Sequence, residues 1–147
     1  MSIEYIHYGD KKFDRNKFDE VTNIHHNKPI GGLWASRLNS ETGWKLWCES
    51  EGYHLDKYRN DNCFKFKLKE DAKILNITKK EQLEKLPKQK LPIELRFLKN
   101  IIDFEELAKQ YDAIEVLISE DYELYWDLYG WDCDSILVMN KDVIEEV

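Results

Sequence analysis

Apolar and polar positions alternate at the start of the chain: Ile3, Tyr5 and His7 fall on one side of an extended segment, Glu4 and Ile6 fall on the other, and Gly9-Asp10 ends it. A strand is therefore expected over Ser2 to Tyr8. From Lys11 to Pro29 the periodicity disappears, with Phe13, Phe18 and Ile24 scattered among polar residues, which predicts an ordered loop with one helical turn. Leu33-Trp34-Ala35, after Gly31-Gly32, predicts a second strand, and Ser40-Glu41-Thr42-Gly43 opens a helix with Trp44, Trp47 and Cys48 on one face. Phe64, Phe66 and Leu68 alternate with Lys65, Lys67 and Lys69, a strand expected to form an antiparallel hairpin with Ala72 to Ile77 across Glu70-Asp71.

Thr78 is expected to cap a short helix through Leu83 and Leu86 that Pro87 stops. A longer helix, beginning near Ile93 or Asp103 and reaching Gln110, buries Phe104, Leu107 and Ala108, and Tyr111-Asp112 leads into a strand over Ala113 to Ile118. Asp121 to Trp131 reads as an aromatic helix ended by Gly130, and Cys133 to Met139 as a deeply buried last strand closed by Asn140-Lys141-Asp142. Without a repeat, heptad or low-complexity tract, the pattern predicts one α+β domain over residues 1–147.

Composition sharpens this picture. A chain of 147 residues buries about two-thirds of its unfolded surface, and 42% hydrophobic content is enough to offset ordering entropy. Five Trp and eight Tyr exceed what a plain core needs and suit stacking on a ring-bearing ligand. A net charge of −7 disfavours general coating of nucleic acid, although Lys65, Lys67 and Lys69 form a local basic face. Cys48, Cys63 and Cys133 lack CxxC spacing and read as reduced thiols. Met1 to His7 has no apolar leader region, and no window reaches membrane-span length, so the expected setting is cytoplasmic with no membrane partner.

Four groups of residues carry candidate chemistry. His7-Tyr8-Gly9, at a strand end, brings together an imidazole and a glycine N–H able to hold a ribose hydroxyl and an amide; a surface histidine is the alternative. The strand from Gly31 to Ser36 offers an indole and a hydroxyl, or simply a packed Trp and a satisfied Ser. Glu115 is the most unusual, because Ile114, Val116, Leu117 and Ile118 surround it and an unpaired buried carboxylate costs several kcal/mol. It reads as a functional acid or base, or as a strand-edge carboxylate. Asp132 and Asp134 are a further acid pair or turn residues, and His25-His26 lack a ligand-spaced Cys or carboxylate. Dinucleotide, P-loop, zincin and nucleophile-elbow signatures do not occur, and no metal is expected.

In order along the chain, these segments resemble the ADP-ribosyltransferase superfamily. His7-Tyr8-Gly9 is similar to the first motif of its histidine-containing, diphtheria-toxin-like and poly-ADP-ribose-polymerase-like branch. Gly32-Leu33-Trp34-Ala35-Ser36, followed by Ser40 and the helix with Trp44 and Trp47, looks like the second. Glu115-Val116-Leu117-Ile118 resembles the third, where the glutamate precedes an apolar run. The tyrosine usual in the second motif is replaced here by Leu33 and Trp34. Ala113 stands where arginine-modifying members carry Gln or Glu.

The resemblance implies split antiparallel sheets with peripheral helices around an NAD-binding cleft. It implies NAD as substrate, an oxocarbenium-like transition state, and ADP-ribose transfer to a protein or nucleic-acid acceptor, or NAD hydrolysis. It further implies that Glu115 is the catalytic acid and that His7 grips the ribose, while the phase of the strand near Cys133 leaves Asp134 as the alternative acid. Gly9 would fix the carboxamide, Tyr8 or Trp34 would stack on nicotinamide with Trp44 nearby, and Ser36 would buttress Glu115. The loop from Asp10 to Asn27 would close as a lid. The competing expectations are a catalytically idle interaction module with an acidic aromatic surface and a nucleic-acid modifier that uses the lysine face.

Overall fold

A computed structural model describes residues 3–23, 28–38, 43, 62–91, 93–95, 101–124, 128, 131 and 133–147. Its strands are β1 (Tyr5–Tyr8), β2 (Leu33–Arg37), β3 (Cys63–Leu68), β4 (Ile74–Ile77), β5 (Ala113–Val116), β6 (Ser135–Val138) and β7 (Ile144–Glu146), and the helix α1 spans Phe104–Gln110. They form one mixed sheet in the order β4-β5-β6-β2-β1-β3-β7. Every pairing is antiparallel except β4 with β5, which is parallel. The α+β class holds in this coarse sense. The expected purely antiparallel pairing does not, because the long connection through α1 returns the chain in the direction of β4.

The hairpin expected between Phe64–Leu68 and Ala72–Ile77 is also overturned. A turn does form, with the Ala72 N–H donating to the Lys69 carbonyl at 3.0 Å, but the chain then leaves β3. Asp112 captures it: Lys73 N–H donates to Asp112 Oδ2 at 2.8 Å, and the Lys73 carbonyl accepts from the Asp112 N–H at 2.8 Å. Both edges of β3 are already taken, by β1 and by β7, so no ladder position is left for β4.

Side-chain alternation divides the core between the two faces of the sheet. Tyr5, Leu33, Ala35, Phe64, Phe66 and Ile136 pack on one face, while Ile77, Ile114, Val116, Leu137 and Trp131 pack against Phe104 and Leu107 of α1 on the other. Asp103 caps α1, its side chain accepting from the Glu106 N–H at 3.0 Å. The strand β6 is buried along its whole length, as its Ser-Ile-Leu-Val sequence demands.

The double glycine before β2 has a steric cause. Gly31 and Gly32 have φ values of 91° and 69°, and a Cβ on Gly32 would lie 2.7 Å from the Val138 carbonyl oxygen. The described part of the loop before it holds a 3-10 turn at Arg15–Lys17 and an isolated Thr22–Ile30 bridge. Asn23 fastens it to the start of α1, donating to Asp103 Oδ1 at 2.8 Å and accepting from the Phe104 N–H at 2.9 Å. In its described part, this loop is tied down at several points instead of hanging free as a lid. No helix among the described residues is long and apolar enough to cross a membrane.

Candidate functional site

His7 lies at the end of β1 with its ring between two acceptors. Nδ1 is 2.6 Å from the Trp34 carbonyl oxygen, and Nε2 is 3.0 Å from Asp10 Oδ2. A carbonyl and a carboxylate only accept, so the arrangement is fully satisfied when both ring nitrogens carry a proton. Gly9, with φ of 116°, turns the chain so that Asp10 folds back onto the imidazole. The Gly9 N–H donates to the Asn62 carbonyl at 2.9 Å, so it is engaged within the fold and is not held ready for a carboxamide.

Beside His7 is a cleft of about 130 Å³ whose walls include Asp10, Phe13, Phe18, Gly32 and Phe64. A cavity of about 150 Å³ is enough to hold one benzene ring, so this cleft is the size of a single planar ring. Its aromatic walls lie against one another: the Phe13 ring is 6.4 Å from Phe18 edge-on and 6.1 Å from Phe64, and Phe64 is 5.2 Å from the His7 ring.

Glu115 is 2% exposed in the middle of β5, as its apolar neighbours predict. Its charge is matched by Arg37 of β2, which reaches across β6. Nε donates to Oε2 at 2.8 Å and Nη2 to Oε1 at 2.7 Å, a bidentate pair that offsets the cost of burying the carboxylate. These bonds to Glu115 hold the Arg37 guanidinium proton more firmly than usual, against the opposing effect of burial. The Tyr5 phenol on the same face is pushed up to about 12, first by burial and then by the Glu115 charge, with Arg37 opposing.

His7 and Glu115 share one face of the sheet. Tyr5 is register partner to Arg37, His7 follows Tyr5 by two residues, and Glu115 is opposite Ile136, itself opposite Ala35. Three strand spacings separate β1 from β5, about 14 Å along the sheet at roughly 4.8 Å each. Glu115 therefore does not line the His7 cleft.

The other expected site residues are distributed differently. Tyr8, Trp34 and Ser36 alternate onto the opposite face, where Trp34 packs edge-on against Trp131 at 4.6 Å and lies under Lys28 Nζ at 4.8 Å. Trp34 meets His7 through its carbonyl and not through its ring. Ser36 Oγ donates to the Asp134 carbonyl at 3.0 Å, so the buttress of Glu115 is Arg37 and not Ser36. Asp134 folds its carboxylate onto Ser119, with bonds of 2.8 Å from N–H and 2.5 Å from Oγ. Trp44, His25, His26 and Asp132 lie outside the described residues. Of the lysine face, Lys67 is directly opposite Glu145 across β3 and β7, which offsets part of its charge.

Sequence reasoning misses Arg37, Asp10, Phe13, Phe18 and Phe64. The available signal for Arg37 is a lone basic residue closing a strand whose chain elsewhere holds one unexplained buried acid. No protein-family model, no curated protein and no solved structure matches this chain.

Proposed function

We propose that this chain is an ADP-ribosyltransferase-like enzyme that binds the nicotinamide end of NAD in the His7 cleft and cleaves the bond between nicotinamide and ribose. The acceptor is a macromolecule, or water in simple hydrolysis. The observation that carries this reading is the ring-sized, phenylalanine-walled cleft at the strand end where the histidine motif ends. The fit is chemical as well as steric, since aromatic faces favour a flat, positively charged pyridinium, and Asp10 and Asp14 in the walls balance Lys12 and Lys17.

Nicotinamide is a good leaving group, so the residues have more to orient than to activate. Phe13, Phe18 and Phe64 would hold the ring and keep water from it. His7, its orientation fixed by the Trp34 carbonyl, would donate from Nε2 to a ribose hydroxyl. As the bond breaks, its electron pair moves to the ring nitrogen and positive charge develops on the ribose, which a carboxylate stabilises. Glu115, three strands from the cleft with both oxygens on Arg37, does not reach that ribose, so the carboxylate must come from the cleft itself.

The pairing of Glu115 with Arg37 also favours a second reading, a catalytically idle module in which Glu115 serves the fold. The test is incubation with NAD labelled in the nicotinamide ring, using wild type and His7→Ala. Nicotinamide release by wild type, reduced by about 100-fold in the variant, supports the enzyme. An absence of both binding and release leaves the idle module.

A further inference from the structure

We propose that Asp10 is the carboxylate that meets the nicotinamide ribose and stabilises the positive charge developing on it. The inference rests on NAD binding in the His7 cleft. With Asp134 folded onto Ser119, three other carboxylates compete for the role, and their present partners separate them. Glu115 has both oxygens on Arg37 and lies three strands away. Asp14 lines the cleft, but Oδ1 caps the turn at Arg15–Lys17 by accepting from the Asn16 N–H at 2.9 Å. Asp10 lines the cleft too, with a side chain 45% exposed, and its one bond among the described residues joins Oδ2 to His7.

The pair is complementary to a vicinal diol. A carboxylate only accepts and an imidazole N–H only donates, whereas each ribose hydroxyl does both. One hydroxyl can therefore insert between His7 Nε2 and Asp10, accepting from the first and donating to the second in place of their direct bond. The positive φ of Gly9 is what makes the arrangement possible, because it returns Asp10 to the ring it follows by three residues. In the reaction the ribose–nitrogen bond breaks with its electron pair going to nicotinamide, which leaves neutral. The acceptor oxygen, water in the simplest case, forms the new bond to the ribose carbon and releases its proton to solvent. Nothing is oxidised or reduced. Asp10 faces the cationic ribose throughout and acts as a carboxylate does in glycoside hydrolysis.

The experiment compares wild type with Asp10→Asn on NAD and on an NAD analogue lacking the 2′-hydroxyl of the nicotinamide ribose, and melting curves report the folded state of each protein. The expected result is a loss of about 100-fold in kcat on NAD with KM little changed, and a clearly smaller loss on the analogue. Wild-type kcat in the variant would overturn Asp10 alone and leave NAD cleavage standing. Equal losses on the two substrates would do the same, since they indicate a merely structural role. A wild type that releases no nicotinamide would overturn NAD cleavage itself and Asp10 with it.

Discussion

Both carboxylate oxygens of Glu115 accept hydrogen bonds from the guanidinium of Arg37, across the intervening strand β6. The pair ties β5 to β2 and removes the electrostatic penalty that made Glu115 conspicuous in the sequence. Removing Arg37 leaves a buried, uncompensated charge. Arg37→Ala is expected to cost roughly 3 kcal/mol, the low end of the range for broken buried pairs because Arg37 is half-exposed. Arg37→Met with Glu115→Leu is expected to recover most of it, as urea unfolding of the single and double variants would show.

Tyr5 predicts an alkaline weakness. Its phenol ionises at about 12 in the folded chain against an ordinary value of 10.0, with burial the main cause. Above the ordinary value the unfolded chain has released this proton while the folded chain still holds it, so stability falls as pH rises. The contribution is complete below pH ~10 and is lost through pH ~12, amounting to about 3 kcal/mol. Denaturant midpoints measured across this window should drop less in Tyr5→Phe than in wild type.

Gly32 is predicted to tolerate no side chain. Gly32→Ala would force a Cβ to within 2.7 Å of the Val138 carbonyl oxygen at a φ of 69°, and a loss of about 2 kcal/mol or more is expected from strain and displacement together. Gly9→Ala meets open space, its nearest neighbour being His7 Nε2 at 4.0 Å, so its cost is confined to the positive φ at roughly 1 kcal/mol. A thermal shift that ranks the two variants the other way would contradict the steric account.

Local pattern reveals local structure here. The alternation in Tyr5–Tyr8, the apolar run of Ser135–Val138 and the Phe104-Leu107 stripe all correspond to elements, because each has its period written within a few residues. Pairing is different. The departure of β4 from β3 depends on Asp112, 39 residues beyond Lys73, and β7 is a three-residue edge strand with outward glutamates and no pattern of its own. Glu115 is visible as an anomaly, yet its partner is 78 residues distant, so the sequence shows the charge without the pair. His7 is legible as a candidate. The cleft beside it is not, because Phe13 and Phe18 come from an aperiodic loop and reach Phe64 only once the sheet has formed.

The proposed binding of the nicotinamide ring of NAD in the His7 cleft is open to an NMR titration of the labelled protein with NAD. Saturable shifts are expected at His7, Phe13, Phe18 and Phe64, weakened in Phe13→Ala, with the Arg37–Glu115 pair unmoved. An absence of shifts at saturating NAD, or shifts centred on Arg37 and Glu115 with the cleft silent, would contradict it.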